Sequence, residues 1–360
     1  MITSPERDSA VSADSSDNPS TDASIDPSIY ASTDPSVDVR GDASGNGAAH
    51  VGAGRYAPSP SGDLHLGNLR TALLAWAYAR SAGMGFLLRF EDLDARSRPH
   101  FEAAQLRDLE SLGIDWDGEP IRQSERIGIY ADAMNELRRR GLLYECYCTR
   151  KELAEVASAP HRPPGSYPGT CRDLSEAERE AGRAKLAGTG RGPALRLRTQ
   201  VDELTVYDVN YGTYTGAVDD LVIMRGDGVY SYNFVSVLDD ALTGVTQVVR
   251  GDDLLPSAPR QVVLAHTLGF TEPQYAHVPL VLNGVGVRLA KRDGAVTLSK
   301  LADLGYTPAD VVAMLAESLG YPPVRSAEEF LNVFDPQRMS RKPEARKPWR
   351  YIPQSIKVER

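Results

Sequence analysis

The stretch from Arg55 to Asn68, RYAPSPSGDLHLGN, gathers residue types that handle a phosphate. The short apolar run Tyr56-Ala57-Pro58 meets a Ser/Pro/Gly turn, and His65-Leu66-Gly67-Asn68 then opens a segment rich in Ala and Leu. This pattern predicts a strand, a turn and a helix N-terminus. Such a terminus favours an anion: its first N–H groups are unpaired, its dipole end is positive, and a glycine lets a ligand approach the backbone. The His65 imidazole offers a further hydrogen bond to a phosphate oxygen. A lone His-x-Gly also fits an ordinary strand-turn-helix with a surface histidine.

Metal chemistry is confined to one region. Cys146, Cys148 and Cys171 fall within 26 residues and are the chain's three cysteines. In a cytosolic chain such a cluster points to metal before disulfide. Two thiolates one residue apart, with a third after the turn Tyr167-Pro168-Gly169-Thr170, suit one small tetrahedral zinc site. Three cysteines leave a fourth position open, and His161 is the usual chemical choice for it. The loop Ala159–Gly169 has no core of its own, so a metal staple is useful there.

One charged residue, Glu91, follows the apolar run GFLLRF, where it meets an amino group or serves as a capping or salt-bridging acid.

These residues must be positioned by alternating strands and helices. Apolar runs at Leu221–Met224 and Thr246–Val249 predict buried strands, with an apolar segment starting at Tyr232–Leu238 between them. Helices are expected over Asn68–Arg80, Pro99–Leu112, Arg126–Arg140, Leu174–Ala187 and Thr307–Gly320. Ala194–Thr199 alternates apolar and basic residues as a half-exposed strand does. Residues just past the strand ends of a parallel sheet line its ligand crevice, which is where Glu91 falls. Arg138, Arg139 and Arg140 touch phosphate or simply suit a solvated helix C-terminus.

At 360 residues, 41% hydrophobic and 25% charged, the chain has room for two or more domains. Residues 1–53 are Ser, Asp, Ala, Pro and Gly with few large apolar side chains, and are expected to be disordered. Of the net charge of −9, residues 1–50 carry −7, so the rest is nearly neutral and a local basic patch suffices for RNA. Residues 338–360 carry eight basic side chains against Glu344 and Glu359. No apolar run approaches the roughly 20 residues of a membrane span, and no secretory signal is visible, so the expected location is the cytoplasm.

Arg55–Asn68 resembles the HxGH-type signature of class I aminoacyl-tRNA synthetases, in the form used by glutamyl enzymes. YSYNFVSVLDD (Tyr230–Asp240) and VTQVVRGDDLL (Val245–Leu255) resemble that family more specifically. Arg288-Leu289-Ala290-Lys291-Arg292 resembles its KMSKS-type loop, with Arg288 in place of a lysine and Ala290 in place of a small hydroxyl residue. The cysteine cluster resembles the CxC…YxxxC zinc site of glutamyl-queuosine tRNA(Asp) synthetases, in which Tyr167 rather than His161 would complete Cys146, Cys148 and Cys171. The full glutamyl enzymes continue into a helical anticodon-binding domain, whereas only 60 residues follow Lys300 here. That too favours the glutamyl-queuosine family.

The resemblance implies an α/β fold: the Rossmann-type nucleotide-binding fold of class I aminoacyl-tRNA synthetases with an inserted zinc-containing subdomain. The expected divisions are a disordered tail (1–53), the first catalytic half (54–145), the zinc insertion (146–215), the second catalytic half with its loop (216–300) and a short helical end with a basic tail (301–360). The implied reaction is tRNA-independent activation of L-glutamate by ATP with Mg²⁺, then glutamyl transfer to queuosine in the anticodon loop of tRNA(Asp). His65, Asn68 and Lys291 would be catalytic, and His65, Gly67 and Lys291 would hold ATP. Arg55, Ala57, Ser59, Glu91, Tyr232 and Arg250 would hold glutamate, with Arg55 and Arg250 for its two carboxylates. One structural Zn²⁺ per chain is implied. A shortened glutamyl-tRNA synthetase that charges a tRNA 3′ end, or a catalytically silent zinc-containing RNA-binding protein, are the alternatives.

Overall fold

The computed structural model describes residues 52–149, 151–153, 167–289 and 296–352. The expected disordered segment therefore lies outside the described residues up to position 51, and the first strand already begins at Ala53.

Strand β1 (Ala53–Tyr56) leads into helix α1 (Leu66–Ser81), which returns the chain to β2 (Gly85–Phe90), parallel to β1. Helix α2 (Pro99–Ser111) then precedes the short β3 (Ile121–Arg122), parallel to β2. Both β1 and β2 are buried along nearly their whole length, as strands covered on both faces must be, with Arg55 and Arg89 as the charged residues among them. Helix α1 is buried on almost every side, from Leu66 and Leu69 through Trp76 and Tyr78, so it forms the centre of the largest core rather than an amphipathic cover. Helix α3 (Ile127–Arg139) buries one stripe, Ile129, Tyr130, Ala133, Met134 and Leu137, and ends before Gly141, whose φ of +69° suits glycine. Ile127, the first residue of the helix, stands exposed. Arg138 bonds Asn135, Arg139 pairs with Glu136 and Arg140 donates to the Thr267 carbonyl, so all three make local contacts at the helix end.

A separate antiparallel sheet follows, built from β4 (Leu143–Cys146), β5 (Ala194–Leu197) and β8 (Val222–Met224), with helix α4 (Glu176–Leu186) between β4 and β5. The hairpin of β6 (Glu203–Asp208) and β7 (Gly212–Ala217) lies between β5 and β8 in sequence, across the end of the span 146–215 expected to be an insertion. It instead joins the main sheet through Asp208 and Tyr275.

Helix α5 (Tyr232–Leu242) begins where the sequence promised only an apolar segment; Ser231 caps it. It leads to β9 (Gln247–Gly251), helix α6 (Ala258–Thr267) and β10 (Gln274–Val278), parallel to β9. The two half-sheets meet where Ala53 N–H donates to Gly244 O (3.1 Å) and Thr246 N–H donates to Ala53 O (2.9 Å). The resulting order is β3-β2-β1, then β9-β10-β6-β7. A crevice opens where the strand order switches, beyond the C-terminal ends of β1, β2 and β9.

After the short β11 (Val281–Leu282), helices α7 (Leu298–Asp303), α8 (Pro308–Ser318), α9 (Ala327–Val333) and α10 (Arg338–Arg341) pack onto the main core. Val311, Val312, Leu315, Phe330 and Met339 are all buried. The segment then returns β12 (Trp349–Arg350) in parallel to β11. Residues 301–352 thus form a folded cover of the main core.

Candidate active site

The crevice is a cavity of about 740 Å³ lined by the residue groups Arg55–Ser59, His65, Gly67–Asn68, Glu91, Tyr232 and Arg250. It brings together every expected glutamate- and phosphate-contacting residue except Lys291, which lies outside the described residues together with Ala290 and Arg292. Arg288, described just before them, ion-pairs with Asp253 at the cavity edge.

The start of α1 differs from the expectation of unpaired N–H groups. His65 Nδ1 accepts from Gly67 N–H (3.0 Å) and Asn68 N–H (3.3 Å), Asn68 Oδ1 accepts from His65 N–H (3.2 Å), and Leu66 N–H donates to Val296 O (3.0 Å). The imidazole itself is the helix cap. A cap that uses bare Nδ1 as acceptor places the proton of the neutral ring on Nε2. Gly67 is needed here for the ring: a Cβ at this position would stand 2.9 Å from His65 Cε1. The turn before the helix is held by Gln105, whose buried amide donates to the Ser59 carbonyl (3.1 Å) and the Gly62 carbonyl (2.7 Å).

Behind Arg55 and Glu91 of the cavity wall lies a buried charged cluster. Arg55 Nε lies 3.1 Å from Asp240 Oδ1, and Arg89 Nη1 lies 2.5 Å from the same oxygen. Arg89 also reaches Glu91 Oε1 at 3.5 Å. Burial works against the Arg89 charge, yet Asp240 and Asp239 together hold its pKa above the ordinary value. Burial likewise opposes ionised Asp240, but Arg55 and Arg89 pull its pKa below the usual carboxylate value. Glu91 is different: burial pushes its pKa up to about 7, and the attraction of Arg89 and Arg55 only partly offsets that. Asp239, one residue earlier, is buried against Arg126, Tyr130 and Gln123.

Arg250 is buried too, but its contacts among the described residues are neutral. Nε donates to His277 Nε2 (3.0 Å), Nη1 to Gln261 Oε1 (2.6 Å) and Nη2 to the Leu254 carbonyl (3.4 Å). The Tyr275 ring lies 5.1 Å from its guanidinium carbon. Tyr232 lines the cavity and is 39% exposed, so its ring remains reachable by a ligand.

Away from the crevice, the sulfur atoms of Cys146, Cys148 and Cys171 lie within 4.8 Å of one another. The Cys148–Cys171 separation of 3.6 Å approaches the roughly 3.8 Å edge of a tetrahedron with Zn–S bonds of about 2.3 Å. Tyr167 Oη accepts from Cys171 N–H (2.8 Å) and hydrogen-bonds Cys146, so an oxygen stands beside the three sulfurs. Arg196 covers the Tyr167 ring at 3.6 Å. The donor set fits a zinc ion. His161 lies outside the described residues.

Arg89, Asp240, Gln105, Gln261 and His277 were not singled out by the sequence reading. A signal existed for two of them: Arg89 interrupts the apolar run GFLLRF, and Asp239-Asp240 ends the apolar segment Phe234–Leu238. A charge inside a buried run requires a partner.

Residues 50–357 match the family model described as the catalytic domain of class I tRNA synthetases (E and Q). The chain is 58% identical over 292 residues to a glutamyl-Q tRNA(Asp) synthetase of Nocardia farcinica, covering 81% of this chain and 92% of that one. It is 49% identical to a protein of the same description from Cutibacterium acnes, covering 80% of this chain and 81% of that one. A solved glutamate tRNA ligase from Elizabethkingia meningosepticum, in complex with its amino acid, matches with a TM-score of 0.65 at 27% identity, over 80% of this chain and 65% of that one. The chain thus spans just under two thirds of that ligase's length. Among the described residues no helix is long and apolar enough to cross a membrane. The chain belongs to the class I tRNA synthetases of the E and Q type and, within them, to the glutamyl-Q tRNA(Asp) synthetase family.

Proposed function

We propose that this protein activates L-glutamate with ATP, without needing tRNA, and then transfers the glutamyl group to queuosine in the anticodon loop of tRNA(Asp). The observation that carries the glutamate assignment is Arg250, a buried cation with neutral partners among the described residues, in the same cavity as Arg55 and Glu91. An unneutralised guanidinium in a buried cleft is stabilised by an anionic ligand. Arg250 and Arg55 would receive the two carboxylates, Glu91 the ammonium group, and Tyr232 would pack on the aliphatic chain. Ala57 and Ser59 would line the same seat. A glutamine amide would supply one negative charge fewer to this cavity, where the partners of Arg250 among the described residues are neutral.

Activation needs no side-chain nucleophile. An oxygen of the bound glutamate α-carboxylate attacks the α-phosphorus of ATP, the bridging bond to the β-phosphate breaks, and pyrophosphate leaves with its electrons. His65 Nε2–H and the positive end of α1 would stabilise the α-phosphate charge, with Gly67 and Asn68 holding the cap that fixes the ring. Lys291 would neutralise the departing phosphates, and Mg²⁺ would accompany ATP. The rate rests on positioning and electrostatics. Cys146, Cys148, Cys171 and Tyr167 would hold one Zn²⁺, which ties β4 to the turn after Tyr167 and supplies no reactive group. The tRNA would present its queuosine hydroxyl to the mixed anhydride, and AMP would leave.

Glutamate-dependent exchange of labelled pyrophosphate into ATP, with no tRNA present, tests the first step. Robust exchange that disappears in Lys291→Ala is expected. Exchange that requires tRNA would indicate a shortened glutamyl-tRNA synthetase, and no exchange in either condition would leave an RNA-binding role. Acid-stable labelling of tRNA(Asp) at its 3′ end in place of its queuosine would sink the second step.

A further inference from the structure

We infer that His277 and Asp208 form a positioning pair that sets the glutamate affinity of Arg250, resting on the assignment of Arg250 to a glutamate carboxylate. Arg250 on β9 and His277 on β10 are direct partners in the parallel register, so their side chains project from the same face of the sheet. Arg250 Nε donates to His277 Nε2 at 3.0 Å, which requires that nitrogen to be bare. The ring proton therefore sits on Nδ1, where Asp208 Oδ2 accepts it at 2.7 Å. His277 and Asp208 are fully buried. Asp208 is itself held by N–H donors from Asn210, Tyr211 and His277, each at 2.9 Å.

This arrangement solves a specific problem. A buried guanidinium needs negative charge nearby, but a carboxylate paired directly with it would compete with the substrate's carboxylate. Here the charge of Asp208 stands one imidazole away. It orients and polarises His277, which in turn fixes Arg250 through its Nε; with Nη1 also donating to Gln261 and Nη2 to the Leu254 carbonyl, one N–H on each Nη is left for a ligand. Gln261 supports the other side through Nη1, and is itself bonded to Asn233 next to Tyr232 (3.1 Å). The reason for the unexpected placement of β6 in the main sheet follows: its pairing with β10 at Asp208–Tyr275 delivers Asp208 to His277. His277 is a positioning residue, because it reaches the substrate only through Arg250.

The pair makes a prediction that a filler of the core would not. His277→Leu removes the acceptor, whereas His277→Gln restores a neutral oxygen able to take the Arg250 N–H. In pyrophosphate exchange, His277→Leu is expected to raise the KM for glutamate about tenfold or more, with the KM for ATP within about twofold and kcat within about threefold. His277→Gln is expected to recover most of that loss. An unchanged glutamate KM in His277→Leu, or equal rises in both KM values that His277→Gln does not repair, overturns the inference. Nitrogen NMR of the wild-type histidines decides the matter if the leucine variant fails to fold. A neutral His277 with its proton on Nδ1, shifted by added glutamate, supports the pair; a proton on Nε2, or a ring indifferent to glutamate, overturns it. Wild-type protein without any glutamate-dependent exchange would count against the proposed reaction, and the site of the ring proton would then still decide this inference.

Discussion

Arg55 Nε and Asp240 Oδ1 lie 3.1 Å apart although 185 residues separate them in sequence. The same oxygen is 2.5 Å from Arg89 Nη1, so one carboxylate on α5 holds the C-terminal ends of β1 and β2. Both guanidinium groups are buried, at 4% and 1% exposure, and both would lose their nearest counter-charge together. Replacing one member of a buried ion pair costs about 3–5 kcal/mol, because the partner charge is left without compensation. Asp240→Asn is therefore expected to lower the unfolding free energy by about 3 kcal/mol or more and to raise the KM for glutamate. Urea unfolding and pyrophosphate exchange measure the two effects. A loss below about 1 kcal/mol would place this pair among weak surface-like bridges.

Glu91 is the titratable group with the clearest consequence for pH. Its pKa is raised to about 7 by burial, above that of the unfolded chain, so folding favours the protonated form. The contribution to stability is thus fully present below the unfolded pKa, and is lost as pH rises through about 7. Glu91→Gln is expected to be more stable than the wild type at pH 8 by at most about 3 kcal/mol, with the advantage fading below pH about 5. Catalysis should move the other way. An ammonium group would be bound by ionised Glu91, so wild-type glutamate affinity should improve as pH rises through about 7, and Glu91→Gln should lose both affinity and that pH dependence. A wild-type KM for glutamate that is flat between pH 6 and 8 would count against Glu91 as the ammonium partner.

Such residues mark how far the sequence could be read. Glu91 was legible because it stands just past an apolar run, where a charge faces the ligand crevice of a parallel sheet, and Arg250 was legible through the resemblance of VTQVVRGDDLL. Their supports were not legible. Asp240 and Arg89 are 151 residues apart, and His277 and Asp208 are 69 apart. No local pattern links such positions, since each is matched only after the sheet order is fixed. The hairpin of β6 and β7 carried no sign that it belongs to the main sheet, because its junction to β10 rests on Asp208 and Tyr275. The cap of α1 was hidden for a different reason. Ser, Thr, Asp and Asn are the usual N-caps, and a histidine in that position reads first as a ligand group.

His65 caps α1 and is proposed to meet the α-phosphate, and two substitutions tell these tasks apart. His65→Ala removes the acceptor for Gly67 N–H and Asn68 N–H, which is expected to cost about 1 kcal/mol of stability. His65→Asn can cap α1 through its amide oxygen but lacks the imidazole Nε2–H. Its stability should stay within about 0.5 kcal/mol of wild type, while exchange falls about tenfold to a hundredfold. Equal activity of the asparagine variant and the wild type would assign His65 to the helix cap alone.

The cysteine cluster gives the remaining test, because two side chains compete for the fourth metal position. Tyr167 Oη already hydrogen-bonds Cys146 and accepts from Cys171 N–H at 2.8 Å, so an oxygen is at hand for the fourth position. Its ring is fixed by Arg196 at 3.6 Å, which also places a cation next to the negative charge of a three-thiolate set. The wild-type protein is expected to carry about one zinc per chain, as measured by elemental analysis after desalting. Cys148→Ala should lose it. Tyr167→Phe should bind zinc about 10- to 100-fold more weakly in chelator competition, the scale on which a supporting group of a metal site acts. His161→Ala should leave the affinity unchanged. The reverse result, with His161 essential and Tyr167 dispensable, would return the imidazole to the fourth position and leave Tyr167 as the hydrogen-bonding wall of the site. Melting of the region around β4 on chelation, ahead of the main sheet, is the further expected sign that the metal holds this small sheet to its turn.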